Sequence, residues 1–244
     1  MKRERVVQLE LHMPTWGGRR KGAGRKSSAV RASVPHVVRP AMRAGNPVHI
    51  TMRMRDDVPE LRRRDCWSAI VRVMRAFRGH FGLRIVHYSV LGNHLHILAE
   101  SEGRAALVEA MQSLTPRLAK AINRAFARKG GVLDGRYHVR ELTTPREVWY
   151  ALRYVLLNAR HHRLESGIVL PPGWIDDRST AVTFEGWRVP PQRPERHADF
   201  GTEPARSWLL CEGWRRYGLL DLDDVPGPTR ARDGNAIVWL AAAA

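Results

Sequence analysis

The 244-residue sequence predicts an α+β fold: a ferredoxin-like antiparallel sheet with helices on one face, a C-terminal tyrosine-bearing helix, and N- and C-terminal extensions. Three observations predict it. Apolar patterns of period two and period 3.6 follow one another in the order strand, helix, strand, strand, helix, strand, helix. A Gly92-Asn93 pair joins the second and third strands, a turn signal that makes them antiparallel neighbours. Each strand–helix–strand half would bury its helix on the same sheet face, as in the split βαβ arrangement. The other face is then left open or covered by the last helix.

The elements follow in order. Val48, Ile50, Met52 and Met54 alternate with His49, Thr51, Arg53 and Arg55, so the first strand has one apolar face. Ile70, Val73, Met74, Phe77 and Phe81 form one helical stripe. Residues 84–91 and 94–99 read as the second and third strands. Leu107, Ala110, Met111, Leu114, Leu118, Ala121, Ile122 and Ala125 keep helical spacing, interrupted by Thr115-Pro116, where the helix is expected to kink or restart. Residues 136–142 suggest a fourth strand. A last helix begins at Thr144-Pro145, with Thr as cap and Pro in the first turn, and runs to about His162.

The chain divides into three segments on composition: a basic, flexible arm over residues 1–45, a folded unit over 46–165, and a Trp- and Pro-rich tail over 166–244. The arm contains Gly-Gly-Arg-Arg-Lys-Gly-Ala-Gly-Arg-Lys at 17–26, which lacks phosphate-loop spacing. In the tail, 205–220 could form a short helix and 224–234 reads as loop.

The formal net charge is +17, with 41 basic side chains against 24 acidic. Arg outnumbers Lys 36 to 5, which genome composition alone can produce; the excess over acids it cannot. That excess points to a polyanion, of which nucleic acid is the commonest. The charge sits in the first two segments, whereas residues 165–244 carry 9 basic and 12 acidic side chains. Two cysteines, Cys66 and Cys211, cannot build a disulfide framework or a four-thiolate zinc site. No secretory apolar stretch and no membrane span is read from the sequence, and a cytoplasmic, nucleoid-associated protein is expected.

His94 and His96 flank Leu95 on the third strand, so both imidazoles share one face. Two such His can share a metal, although alone such a pair is more often an ordinary surface pair. On the last helix, Val148, Leu152, Val155, Leu156 and Ala159 form the apolar stripe. Tyr150, Tyr154, Asn158 and His161 cluster opposite, expected to project away from the core. Alone, that pattern is an ordinary amphipathic helix.

Together the two features resemble a family. Asn93-His94-Leu95-His96-Ile97-Leu98 is similar to the His-hydrophobic-His signature of HUH endonucleases. Arg153-Tyr154-Val155-Leu156-Leu157-Asn158 resembles the tyrosine helix of single-tyrosine HUH transposases, including the REP-associated tyrosine transposases. Gly135-Arg136-Tyr137-His138-Val139-Arg140 resembles the strand before that helix, and Asn123-Arg124 with Gly130 the helix end before it. The resemblance covers roughly residues 46–165. It implies His94, His96 and Asn158 as ligands of Mg2+ or Mn2+, Tyr154 as nucleophile, a 5′-phosphotyrosine intermediate, single-stranded and hairpin-containing DNA as substrate, and a homodimer. Ala159 departs from the pattern, since many REP-associated relatives carry Pro there. This changes the helix end and leaves the ligands and nucleophile intact.

Tyr150 lies one turn earlier on the same face but four residues further from Asn158, which favours Tyr154. Arg53, Arg136 and Arg140 are candidate phosphate contacts. His49 and His87 could approach the same sheet face but read as structural. A hairpin-binding protein without transposition is the alternative. An RNA-binding module ranks below both, because its central strands would offer only Tyr88 for stacking, in the company of His94 and His96.

Overall fold

The computed structural model describes residues 42–191 and 199–226. The arm expected over 1–45 therefore lies, up to residue 41, outside the described residues, as does the expected loop beyond 226. Four strands form one antiparallel sheet: β1 (Pro47–Arg53), β2 (Leu83–Val90), β3 (His94–Ser101) and β4 (His138–Glu141), in spatial order β2-β3-β1-β4. The helices are α1 (Arg64–Phe77), α2 (Arg104–Ala125), α3 (Pro145–Glu165) and a single turn, α4 (Trp208–Cys211). The α+β, ferredoxin-like fold is thus as the patterns predict.

The alternation in β1 sorts side chains into two cores. Val48, Ile50 and Met52, with Leu95, Ile97 and Ala99 of β3, face α1 and α2 and close the first core. The second core lies on the other sheet face, where Leu98 and Val86 meet the apolar stripe of α3. α3 does not end that layer. Ala181, Phe184, Trp187, Leu210, Trp214, Leu220 and Leu222 from the C-terminal segments belong to the same core. The described parts of the tail therefore wrap α3: Trp149 Nε1 donates to the Gly218 carbonyl at 3.1 Å, and Arg153 and Arg160 pair with Asp224 and Asp223 at 3.2 and 2.9 Å.

Four details differ from the sequence expectation. α1 stops at Phe77 rather than running through Phe81. Gly79 adopts φ +75°, and the loop folds Phe81 back onto Phe77 with centroids 5.9 Å apart, so a turn mimics the helical spacing. α2 runs through Pro116 as one 22-residue helix and does not restart there. Pro116 has no N–H to donate to the carbonyl of Gln112, an exposed residue. Residues 205–220 form α4 and a separate 3₁₀ turn at Gly213–Tyr217, not one helix. A bulge between Ile85 and His87 shifts the parity of β2. It puts Tyr88 in the first core, donating to the Phe200 carbonyl at 2.8 Å, and not beside the histidines.

Among the described residues of the tail, Gly201 packs directly on the backbone of α1. A Cβ on Gly201 would lie 2.3 Å from the Arg75 nitrogen and 2.5 Å from the Met74 carbonyl carbon, and the residue has φ +75°. Gly201→Ala is therefore expected to cost about 2–4 kcal/mol, from backbone overlap and the left-handed conformation together. Urea denaturation would read this as a lower midpoint, and an unchanged midpoint would show that the tail does not pack there.

Candidate catalytic site

The site grows from strand parity. With Val48, Ile50 and Met52 committed to one core, His49, Thr51 and Arg53 must point to the opposite face. β3 pairs Thr51 with His96 and Arg53 with His94, while β4 pairs His49 with Arg140 and Thr51 with His138. One face of the sheet thus carries His94, His96, His49, Thr51, Arg53, His138 and Arg140.

α3 crosses this face. Its start is fixed by a capping box: Thr144 accepts from the Glu147 nitrogen, and Glu147 reaches back to the Thr144 nitrogen. Glu147 also takes Arg140 of β4 at 2.8 Å, tying the helix end to the sheet. Ten residues on, Tyr154 meets the histidines of its own chain. Its ring stands edge-on to His96 with centroids 5.2 Å apart at 89°, and to His49 at 5.7 Å. Asn158, one turn later, hydrogen-bonds the Tyr154 side chain. It is 1% exposed.

The expectation that Tyr154 and Asn158 project away from the core is corrected here. The tail supplies α3 with a second apolar surface, so the helix buries both sides and its polar row turns onto the sheet. Tyr150 is the one that faces water, 47% exposed, with its ring against Trp149 and under the Arg146 guanidinium.

The imidazoles are anchored through one nitrogen each. His94 Nδ1 lies 2.6 Å from Asn93 Oδ1. His96 Nδ1 lies 3.2 Å from Thr51 Oγ1 and 3.3 Å from His49 Nε2. The two rings are nearly parallel, 9° apart, with centroids at 6.0 Å. Burial, reinforced by His49, His94 and His162, pushes His96 well below the ordinary imidazole value. Burial, then Arg53 and His162, lowers His94. Burial, then His138 and Arg140, brings His49 to about 4. Neutral imidazoles at neutral pH are the metal-binding form. Burial raises the Tyr154 phenol above its ordinary value, and the Asn158 hydrogen bond opposes that rise.

The residues fit a metal on their own chemistry. Two neutral imidazoles have Nδ1 occupied and Nε2 available, and the oxygen of the buried Asn158 amide is a hard donor that could join them. Among the described residues no three His, Cys, Asp or Glu side chains cluster as a ligand set. The donor set is two nitrogens and an amide, which suits an open site rather than a closed structural zinc site.

The candidate phosphate contacts are less uniform. Arg53 is paired with Asp56 and Asp134 at 3.1 and 3.2 Å, and Arg140 with Glu147. Arg136 is exposed and makes no ion pair among the described residues. A groove of about 470 Å³ between α1 and α2, flanked by Arg72, Arg117 and Arg124, lies in the helical layer on the other side of the sheet and holds none of these residues.

Two solved structures are similar. One is a REP-associated tyrosine transposase bound to a REP hairpin, 19% identical over 60% of this chain and 82% of that one, with a TM-score of 0.44. The other is a candidate transposase from Deinococcus radiodurans R1, 14% identical over 57% of this chain and 100% of that one, with a TM-score of 0.32. The chain is similar to transposases. Both likenesses are distant, and the chemistry rests on the chain's own residues. No protein-family profile and no curated protein matches the chain. No helix among the described residues is long and apolar enough to cross a membrane.

His49 and Thr51 are the members of the site that the sequence reading did not assign to it. The signal was present in the alternation of β1, but the register against β3 was needed to bring them to His96. His87 shares the face but serves the fold: its Nδ1 lies 3.2 Å from Thr180 Oγ1, its ring packs edge-on to Phe184, and burial lowers its pKa to about 4. A base held neutral in the folded state binds fewer protons than the unfolded chain between its two pKa values. Stability is therefore complete above the ordinary 6.5 and falls as pH drops toward about 4. His87→Gln is expected to remove about 2 kcal/mol of that loss. Denaturant midpoints across the window would check this, and parallel pH curves for the two proteins would refute it.

Proposed function

We propose that this chain is a metal-dependent DNA transposase, an endonuclease and strand transferase for single-stranded DNA acting through a 5′-phosphotyrosine on Tyr154. The observation that carries the reading is the contact of the Tyr154 ring with His96 of the same chain, with Asn158 bonded to the phenol.

His94 and His96, through Nε2, and Asn158, through its amide oxygen, would hold Mg2+ or Mn2+. A bound divalent ion supplies charge withdrawal from a non-bridging phosphate oxygen and fixes the phosphate for in-line attack. The protein's own residues do the rest. Three neutral ligands leave the ion's charge uncompensated. The Tyr154 oxygen forms a bond to phosphorus as the bond to the DNA 3′-oxygen breaks. The phenol proton leaves, and the departing 3′-oxygen takes up a proton to become a hydroxyl. A 3′-hydroxyl can later attack the phosphotyrosine and return the phenol, so strands are exchanged without a nucleotide cofactor. The raised phenol pKa means that proton removal is part of the barrier rather than completed beforehand.

Arg53, Arg136 and Arg140 border the face and are proposed to contact phosphates, with Arg136 making no ion pair among the described residues. One nucleophile per chain favours a homodimer where two ends are joined. Hairpin-containing DNA is the proposed substrate, and the cytoplasm, at the nucleoid, the proposed location. Incubation with labelled single-stranded hairpin DNA and Mn2+ should yield a denaturation-resistant protein–DNA adduct. Hairpin binding with no adduct would refute the nuclease reading and leave a binding protein.

A further inference from the structure

His96 uses one nitrogen for two neighbours. Its Nδ1 lies within 3.3 Å of both His49 Nε2 and Thr51 Oγ1, which leave its Nε2 as the nitrogen available to a ligand. His94 is held in the same manner from its own turn, by Asn93. The two histidines thus differ in their anchors. That of His94 is adjacent in sequence, whereas that of His96 comes from a different strand and also touches the phenol. The His49 ring is tilted against His96 at 5.4 Å and edge-on to Tyr154 at 5.7 Å.

We propose that His49, together with Thr51, is a positioning residue of the site: the pair accepts the Nδ1 proton of His96, so that Nε2 carries none and points to the ligand side, and the His49 ring seats Tyr154 beside it. An imidazole has one proton for two nitrogens, so an acceptor at Nδ1 decides which nitrogen can bind a cation. Without that acceptor the proton is free to settle on Nε2 and block it, and the ring loses the contact that orients it. This rests on the metal reading for its purpose but not for its geometry.

The test uses 15N-labelled full-length protein at neutral pH. Two-bond imidazole 1H–15N spectra, with His96 identified by loss of its signal in His96→Gln, report which nitrogen is protonated. Mn2+ titration by calorimetry reports affinity. Wild type is expected to show the His96 proton on Nδ1. His49→Ala with Thr51→Val is expected to shift it to Nε2 and to weaken Mn2+ binding by about 10–100-fold, the usual effect of removing such a partner. His49→Gln, which retains an acceptor, should restore most of both. A wild-type proton on Nε2 overturns the proposal, and so does an unchanged tautomer or Mn2+ affinity in the double variant. If wild type binds no Mn2+, the metal reading fails separately, and the tautomer comparison still decides whether His49 and Thr51 hold His96. Should the double variant not fold, the single Thr51→Val and His49→Ala proteins carry the same two readouts.

Discussion

Tyr154→Phe is expected to reduce covalent DNA–protein adduct by at least about 10³-fold, the scale of removing a nucleophile, while the protein stays folded. The substitution deletes one oxygen. It keeps the ring that packs edge-on to His96 and His49, so the cost to the fold is that of one hydrogen bond with Asn158, about 1 kcal/mol. Tyr150→Phe is the matched control. Tyr150 sits one turn earlier, faces solvent and touches Trp149 and Arg146 rather than any histidine. Its loss should leave adduct formation within about twofold, since a surface change away from the site has little effect. Gel quantification of adduct for the three proteins separates the outcomes. Adduct that survives in Tyr154→Phe and disappears in Tyr150→Phe would move the nucleophile to the exposed position.

Trp214→Ala is expected to cost about 3–5 kcal/mol, the range for emptying a buried aromatic site. The indole is 1% exposed, packs on Phe184 at 5.5 Å and fills the space above Gly186, while its Nε1 donates to the Leu210 carbonyl at 2.9 Å. All of these groups lie outside the segment that carries the site residues. Its removal should nevertheless loosen α3, because the same core holds Leu152, Val155 and Leu156. Thermal denaturation monitored by circular dichroism measures the loss. A melting temperature close to wild type would mean that the C-terminal segments are an accessory to the fold.

The fold was legible because its elements alternate cleanly between two periods. Val48 to Met54 could be nothing but a strand with one dry face, and Thr144-Pro145 followed by Glu147 marks a helix start to the residue. The site was legible in part. His94, His96, Tyr154 and Asn158 could be singled out from spacing and family resemblance, and the chain brings all four to one face. Two things could not be read. One is the partner of a side chain on another strand: His49 looks like any polar residue of β1 until the register sets it beside His96. The other is the environment of α3. Its sequence is apolar on one side and polar on the other, which in isolation describes a surface helix. Trp187, Trp214, Leu220 and Leu222, dozens of residues later, convert the outside of that helix into a second interior. Periodicity measures the contrast between two sides of a helix, and it is blind to a remote segment that covers both.

The late position of that covering segment has a consequence for biogenesis. Synthesis runs from the N-terminus, and domains acquire structure as their residues emerge. The sheet, α1 and α2 can form most of the first core once β4 is available, and only Phe200 joins it later. α3, by contrast, has half its apolar surface without a mate until the chain has been extended through Leu222. The imidazoles are thus in place on their strands before the helix opposite them is locked, so a nascent or truncated polypeptide displays the histidines without a phenol held in register. The pairing of Tyr154 with the histidines is in this sense the last feature of the site to be fixed, by residues that do not themselves belong to it.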